Sequence, residues 1–328
     1  MPARKITISS NSLLIVHGRD CKPPAESLAD ISAAALRAGV ERDYPECLNA
    51  WDKVAVNLAY YGDLSNAFLD ERERQYDSQI DIGDRSNALT ELRSIGARKR
   101  FGIRQYDRLP GKSAVPEFFA NIIAPLCGVL GMTKWLLTRM SPDFAEYLFK
   151  QSEYAEEVRE RVRNELCVLL DRGDRIMLVT HGTGSVIAYD VLWQLSNEER
   201  FAEKYSDAKV DTWVTLGAPL GDNYVRKQLM GADGEPVSYP KNVITWHNVS
   251  AEDDYTCHDN TLADDFKNML EQRVVSAVQD FRVYNLAVRY GKSNPHSSIG
   301  YYIHPRMSKI IVDWAQAPAM VTDPIYTL

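Results

Sequence analysis

Arg175-Ile176-Met177-Leu178-Val179-Thr180-His181-Gly182-Thr183-Gly184-Ser185-Val186-Ile187-Ala188-Tyr189 sets the reading of the whole chain. It opens with a short apolar run between a charge and a glycine, which suits a strand buried on both faces of a parallel sheet. Gly182-Thr183-Gly184 makes a sharp turn. From 186 to 195 the chain is apolar on nearly every side, as in a helix packed against a sheet. Strand, tight turn and helix in that order can lift one residue above the end of a sheet.

Outward from this unit, Leu13-Leu14-Ile15-Val16 predicts another buried strand, ending in His17-Gly18-Arg19-Asp20, with 6–9 as its extension or a small edge strand. Ala33, Ala34, Ala35 and Leu36 favour a helix over 31–42, and Pro45 marks a stop beyond it. Further strands are expected at 54–60, 210–216, 243–246 and 281–287. Residues 153–171 form an amphipathic helix, with Ala155, Val158, Val162, Leu166 and Leu169 at three- and four-residue steps. A last helix is expected over 306–314. Strands alternating with helices predict an α/β fold, a mostly parallel sheet with helices on both faces.

Residues 64–150 break this rhythm and read as an inserted helical cap within a single domain, 1–328. Inside that insertion, 118–137 is apolar and just long enough to raise a membrane span. Pro125, Gly128, Gly131 and Lys134 argue instead for a helical hairpin or lid, with peripheral membrane contact as the alternative. Arg98, Lys99, Arg100 and Arg104 read as a solvated face.

A chain of 328 residues can bury a large core, and 45% apolar with 25% charged residues is ordinary for a globular protein. The net charge of −7 leaves no basic surplus for phosphates and argues against nucleic acid as a partner. Five cysteines, Cys21, Cys47, Cys127, Cys167 and Cys257, are odd in number and widely spaced. They suggest neither a zinc site nor a disulfide framework, and fit a reducing cytoplasm. Residues 1–11 lack the apolar core of a signal peptide.

The turn at Thr180-His181-Gly182-Thr183-Gly184-Ser185 resembles the nucleophile elbow of the α/β-hydrolase family, in its lipase- and esterase-like members. Glycine stands where those enzymes carry serine. The resemblance implies an α/β-hydrolase fold and a site in the order nucleophile, acid, histidine. Acyl transfer needs a nucleophile, a base, a carboxylate to orient the base, and donors for the oxyanion. The nucleophile position is Gly182. For the acid, similar members carry Trp-x-Asn on a strand and an acid some six residues on; here Trp246-His247-Asn248 leads to Asp254, with Asp253 as rival. The plain alternative is a surface acidic turn, Glu252-Asp253-Asp254. For the base, His296 in Asn294-Pro295-His296-Ser297-Ser298-Ile299-Gly300-Tyr301 resembles the family's terminal histidine loop. His304 is the fallback, while His181 and His258 read as structural. The resemblance assigns the oxyanion donors to the N–H of Thr183 and that of Gly18 or Arg19. Gly217-Ala218-Pro219-Leu220-Gly221 looks like the loop after the following strand.

Glycine takes positive φ freely, so Gly182 fits an intact elbow without a nucleophile. One reading is a degenerate hydrolase that binds a small-molecule ester or lipid-like ligand without turnover. Another is an active esterase or lipase whose Ser or Cys has been replaced by Gly182. A third uses another group: Ser185, expected to point away from His296, or a water activated by His296. From a different class, Gly182-Thr183-Gly184 could cradle a phosphate. Against this, the third glycine position is Ile187 and no Walker lysine follows. No cofactor or metal is implied.

Overall fold

The computed structural model describes residues 10–111, 137–139, 141–150, 152–257 and 261–317. The expected segment 6–9, Cys127, His258 and residues 118–136 of the apolar stretch lie outside the described residues.

Among the described residues, six strands build one sheet: β1 (Asn11–Val16), β2 (Val54–Ala59), β3 (Arg175–His181), β4 (Val210–Leu216), β5 (Val243–Ala251) and β6 (Ala277–Val283). Every pairing is parallel, and the order is β2-β1-β3-β4-β5-β6. The helices that matter to the site are α1 (Ala25–Asp43), α2 (Gly62–Asp70), α3 (Ser78–Ser94), α4 (Pro142–Lys150), α5 (Glu153–Arg172), α6 (Gly184–Asn197), α7 (Ser298–Tyr302) and α8 (Pro305–Gln316). A small antiparallel pair, β7 (Val288–Arg289) and β8 (Lys292–Ser293), follows β6.

Strand side chains alternate between two cores, as the period of two demands. Leu14, Val16, Ile176 and Leu178 pack with α4, α5 and α6. Leu13, Ile15, Met177 and Val179 pack with α1, α3, α7 and α8. Both faces are covered, which is why β1 and β3 read as continuous apolar runs rather than alternating ones.

Cross-strand polar contacts tie the sheet's centre together. Trp213 and Trp246 stack with ring centroids 4.4 Å apart. Trp213 Nε1 donates to Thr180 Oγ1 at 3.1 Å and Trp246 Nε1 to Thr215 Oγ1 at 3.0 Å. Thr215 in turn donates to Asn248 Oδ1 at 3.0 Å, and Asn248 Nδ2 donates to Asp280 at 2.9 Å. These bonds let β5 run on through His247, Asn248 and Ser250 to Ala251, beyond the apolar stretch 243–246.

Three further elements differ from the sequence reading. α1 starts at Ala25, directly after Pro23-Pro24, six residues earlier than 31. β6 is Ala277–Val283 rather than 281–287, because Leu286 and Ala287 bury in the helix-side core instead of the sheet. α3 escaped notice because it buries little apolar surface; it starts on Asp77, whose Oδ1 accepts the N–H groups of Gln79 and Ile80 at 2.8 and 3.2 Å. No helix among the described residues is long and apolar enough to cross a membrane.

The strand order has one reversal. From β1 the chain moves to β2 on one side, then returns to β3 on the other. Loops leaving β1 and β3 therefore diverge and leave a crevice beyond their carboxyl ends, the usual ligand position in an open parallel sheet.

Candidate active site

The sheet register brings the decisive residues to that edge. His181 pairs with Leu216 and Leu216 with Val249. Gly182 N–H continues the ladder to Leu216 O at 2.9 Å, and Gly217 N–H to Val249 O at 3.0 Å, so the two glycines stand side by side. Gly182 has φ +54°, the left-handed conformation that a sharp strand-to-helix turn imposes. Gly217 clears space. A Cβ there would lie 2.6 Å from Asp254 Oδ2 and 3.1 Å from His296 Nδ1.

Asp254 and His296 meet above these glycines. His296 Nδ1 lies 2.9 and 3.1 Å from the two carboxylate oxygens of Asp254. The Tyr301 hydroxyl donates to Asp254 Oδ2 at 2.7 Å, and Thr256 N–H to Oδ1 at 3.0 Å. Burial alone would push the carboxyl upward. The charge and hydrogen bond of His296, with those of Tyr301 and Thr256, outweigh it and hold Asp254 at about 2. With Nδ1–H given to the carboxylate, Nε2 is the basic nitrogen. It sits 3.0 Å from the point where a side chain at 182 would begin.

The histidine loop is clamped from behind. Asn285 Nδ2 donates to the carbonyls of Pro295 and Ser297 at 2.8 and 2.9 Å, and its Oδ1 accepts from Ala287 N–H at 3.1 Å. His181 Nε2 is 3.0 Å from the His296 carbonyl. Burial, then the neighbouring His296, drive the His181 pKa well below its ordinary value, so it serves as a neutral framework donor. Tyr301 accepts Ala251 N–H at 2.8 Å while it holds the acid.

Across the crevice, the loop after β1 is fixed by His17. Its Nδ1 faces Gly18 O at 2.9 Å, its Nε2 accepts Tyr61 N–H at 3.2 Å, and its ring stacks on Tyr61 at 3.9 Å. Burial first, then Lys22, lower the His17 pKa to about 3. A Cβ on Gly18 would lie 3.1 Å from His181 O, so this loop reaches the elbow. The backbone N–H groups of Gly18, Arg19 and Thr183 donate to no described residue.

The other candidates lie elsewhere. Asp253, at φ +60°, takes the Tyr106 hydroxyl on its carboxylate. His304 caps α8, accepting Arg306 N–H at 3.0 Å, with Phe101 edge-on to its ring. Ser185 Oγ is buried and bonds Thr180 Oγ1 at 2.8 Å, away from His296 as expected. Sequence reasoning missed Asn285 and Tyr301 as positioning residues; Tyr301 stood in the quoted histidine loop, but nothing in its spacing marks a bond to Asp254.

A cavity of about 440 Å³ opens beside His181 and His296. The loop after β1 forms one wall; α3 and the β7–β8 pair form the other. Its lining is strongly charged. No group of three or more His, Cys, Asp or Glu among the described residues could hold a metal ion.

No protein-family model, curated protein or solved structure matches the chain.

Removing the Tyr301 hydroxyl leaves the buried Ala251 N–H without its acceptor and takes one donor from Asp254 Oδ2, which keeps His296 Nδ1. Tyr301→Phe is therefore expected to cost about 1–3 kcal/mol in urea unfolding at neutral pH. Unchanged stability would show that the hydroxyl holds neither partner.

Proposed function

We propose that this chain is an α/β-hydrolase-type protein of the serine-esterase kind that binds a small carboxylic ester in the crevice without forming an acyl-enzyme. One observation carries the reading: the Asp254–His296 pair is assembled, and its Nε2 sits 3.0 Å from where the side chain of residue 182 would start. A hydroxyl there would give its proton to Nε2 and attack a carbonyl. The N–H groups of Thr183 and of Gly18 or Arg19 would face the developing oxyanion. With glycine at 182 the attacking oxygen is missing while the base, its orienting acid and the donors remain. Bound ester stays intact unless His296 activates a water.

The phosphate-cradle alternative has less support. Gly184 spends its missing side chain on the approach of β1, since a Cβ there would lie 2.2 Å from the His17 carbonyl oxygen. A cytoplasmic location belongs to the same proposal; the thiols of Cys21, Cys47, Cys167 and Cys257 are free, which fits a reducing compartment.

Gly182→Ser tests the reading. His296 must give by a few tenths of an ångström, and the positive φ adds about 1–3 kcal/mol of strain. The variant is expected to gain covalent labelling by a fluorophosphonate probe that the parent chain does not take up. Adding His296→Ala should slow that labelling by about 10²-fold or more. A folded Gly182→Ser protein that stays unlabelled would remove the esterase reading.

A further inference from the structure

The cavity beside His296 is lined by charge, and its acids are already engaged. Asp81 accepts from Arg85 at 3.0 Å, Arg289 at 2.9 Å and the Tyr76 hydroxyl at 3.1 Å. Asp84 faces Arg289 at 3.4 Å, and Asp20 faces Arg74 at 3.7 Å. Asp77 caps α3.

The cations are not balanced in the same way. Lys22 is buried, and its ammonium donates to three backbone carbonyls: Arg19, Asp20 at 3.0 Å and Cys21 at 3.3 Å. Carbonyls satisfy its N–H groups, and Asp20, Asp143 and Asp81 act on its charge without forming an ion pair with it. Burial, then Arg85, bring its pKa down to about 8, so it remains largely protonated at neutral pH. Arg19 lines the same cavity, and its guanidinium makes no hydrogen bond or ion pair with any described residue. Five cationic side chains thus face four carboxylates in the cavity, within a chain of net charge −7. A local surplus opposite to the overall charge selects for a ligand of the other sign.

We propose that the ligand of the crevice is a small ester carrying a carboxylate, its anion paired with Arg19 and its ester carbonyl held over Gly182. The proposal rests on the ester-binding reading above and replaces a lipid-like ligand with a polar one. A guanidinium matches a carboxylate in a planar two-point bond, and the charge-assisted pair is stronger than a neutral one. A long alkyl chain would strip water from the arginines and aspartates of this wall and return no bond to them.

Calorimetric titration of the full chain tests this, using monomethyl succinate, glutarate and adipate against their dimethyl counterparts and methyl octanoate. At least one monoester should bind about tenfold more tightly than its dimethyl counterpart. Arg19→Gln should erase that preference, and Arg19→Lys, which keeps the charge, should retain part of it. Equal or tighter binding of the dimethyl esters or methyl octanoate would overturn the proposal, as would a preference that survives Arg19→Gln. Labelling of Gly182→Ser without a charge preference would sink this inference alone. A charge preference without labelling would leave the anion-binding crevice standing and remove the esterase reading.

Discussion

Acidification from neutral pH to about pH 5 is expected to cost this protein about 4 kcal/mol net: three buried histidines lose about 6 kcal/mol, and Asp190, whose carboxyl pKa burial pushes up to about 6, returns about 1.4 kcal/mol. Three histidines are held neutral in the fold. Burial and then Lys22 take His17 down to about 3. Burial, then Arg42 and Arg306, take His304 to about 3, and burial with His296 takes His181 well below its ordinary value. In the unfolded chain each protonates near its ordinary value of 6.5. The unfolded state then binds more protons than the native one, so stability rises with pH across this window. It is fully present above about pH 6.5 and falls by about 1.4 kcal/mol per pH unit per histidine below that.

Asp254 adds a later step of the same sign. Its folded value of about 2 lies below the ordinary 3.8, so its contribution is present above about pH 4 and lost as the pH falls through about 2. Urea midpoints measured from neutral to mildly acidic pH check the argument. His304 is the useful probe, because it caps α8 and does not line the crevice. His304→Asn keeps a capping acceptor and should remove about a third of the histidines' share of the slope. A midpoint that stays flat from about pH 6.5 to about pH 5 would mean that the three rings are not buried as neutral groups.

Gly184→Ala is expected to be strongly destabilising. The added Cβ would lie 2.2 Å from the His17 carbonyl oxygen and 2.8 Å from that of Val16. Both atoms are backbone at the end of a central strand, so neither can swing aside. Either α6 or the end of β1 must move, at a cost of about 3 kcal/mol. The loop that presents the N–H groups of Gly18 and Arg19 would be displaced with it. Gly83→Ala is the contrast: Gly83 is exposed within α3 with nothing within 4 Å of a new Cβ. That change should gain about 0.5–1 kcal/mol. Opposite shifts in melting temperature would support the pair; equal shifts would show that the α6–β1 approach is loose.

What could be read from the sequence was whatever is local. β1 and β3 are unbroken apolar runs, and α5 shows its stripe in five residues at helical steps. Asp254 and His296 stood out because each follows a strand in the expected order. α3 was hidden because its buried face includes Asp81, whose two arginine partners compensate it. The end of β6 was misplaced because Leu286 and Ala287 are apolar for the helix layer and not for the sheet. The charged wall could not be seen at all. Arg19, Asp81, Arg85 and Arg289 come from three distant stretches and share one cavity only through the tertiary fold. Asn285 and Tyr301 act by reaching across to other loops, and neither leaves a pattern in its own neighbourhood.

The crevice joins stretches far apart in the chain: His17, Gly18 and Arg19 follow β1, whereas His296 lies between β8 and α7. During synthesis, the early half leaves the ribosome long before its counterpart exists. β1 lies between β2 and β3, and α1 packs against α8, so the nascent polypeptide carries unfinished apolar surface until α8 has been made. Such distant pairings make for slow maturation, and premature termination anywhere before α7 would yield a product without a working pocket.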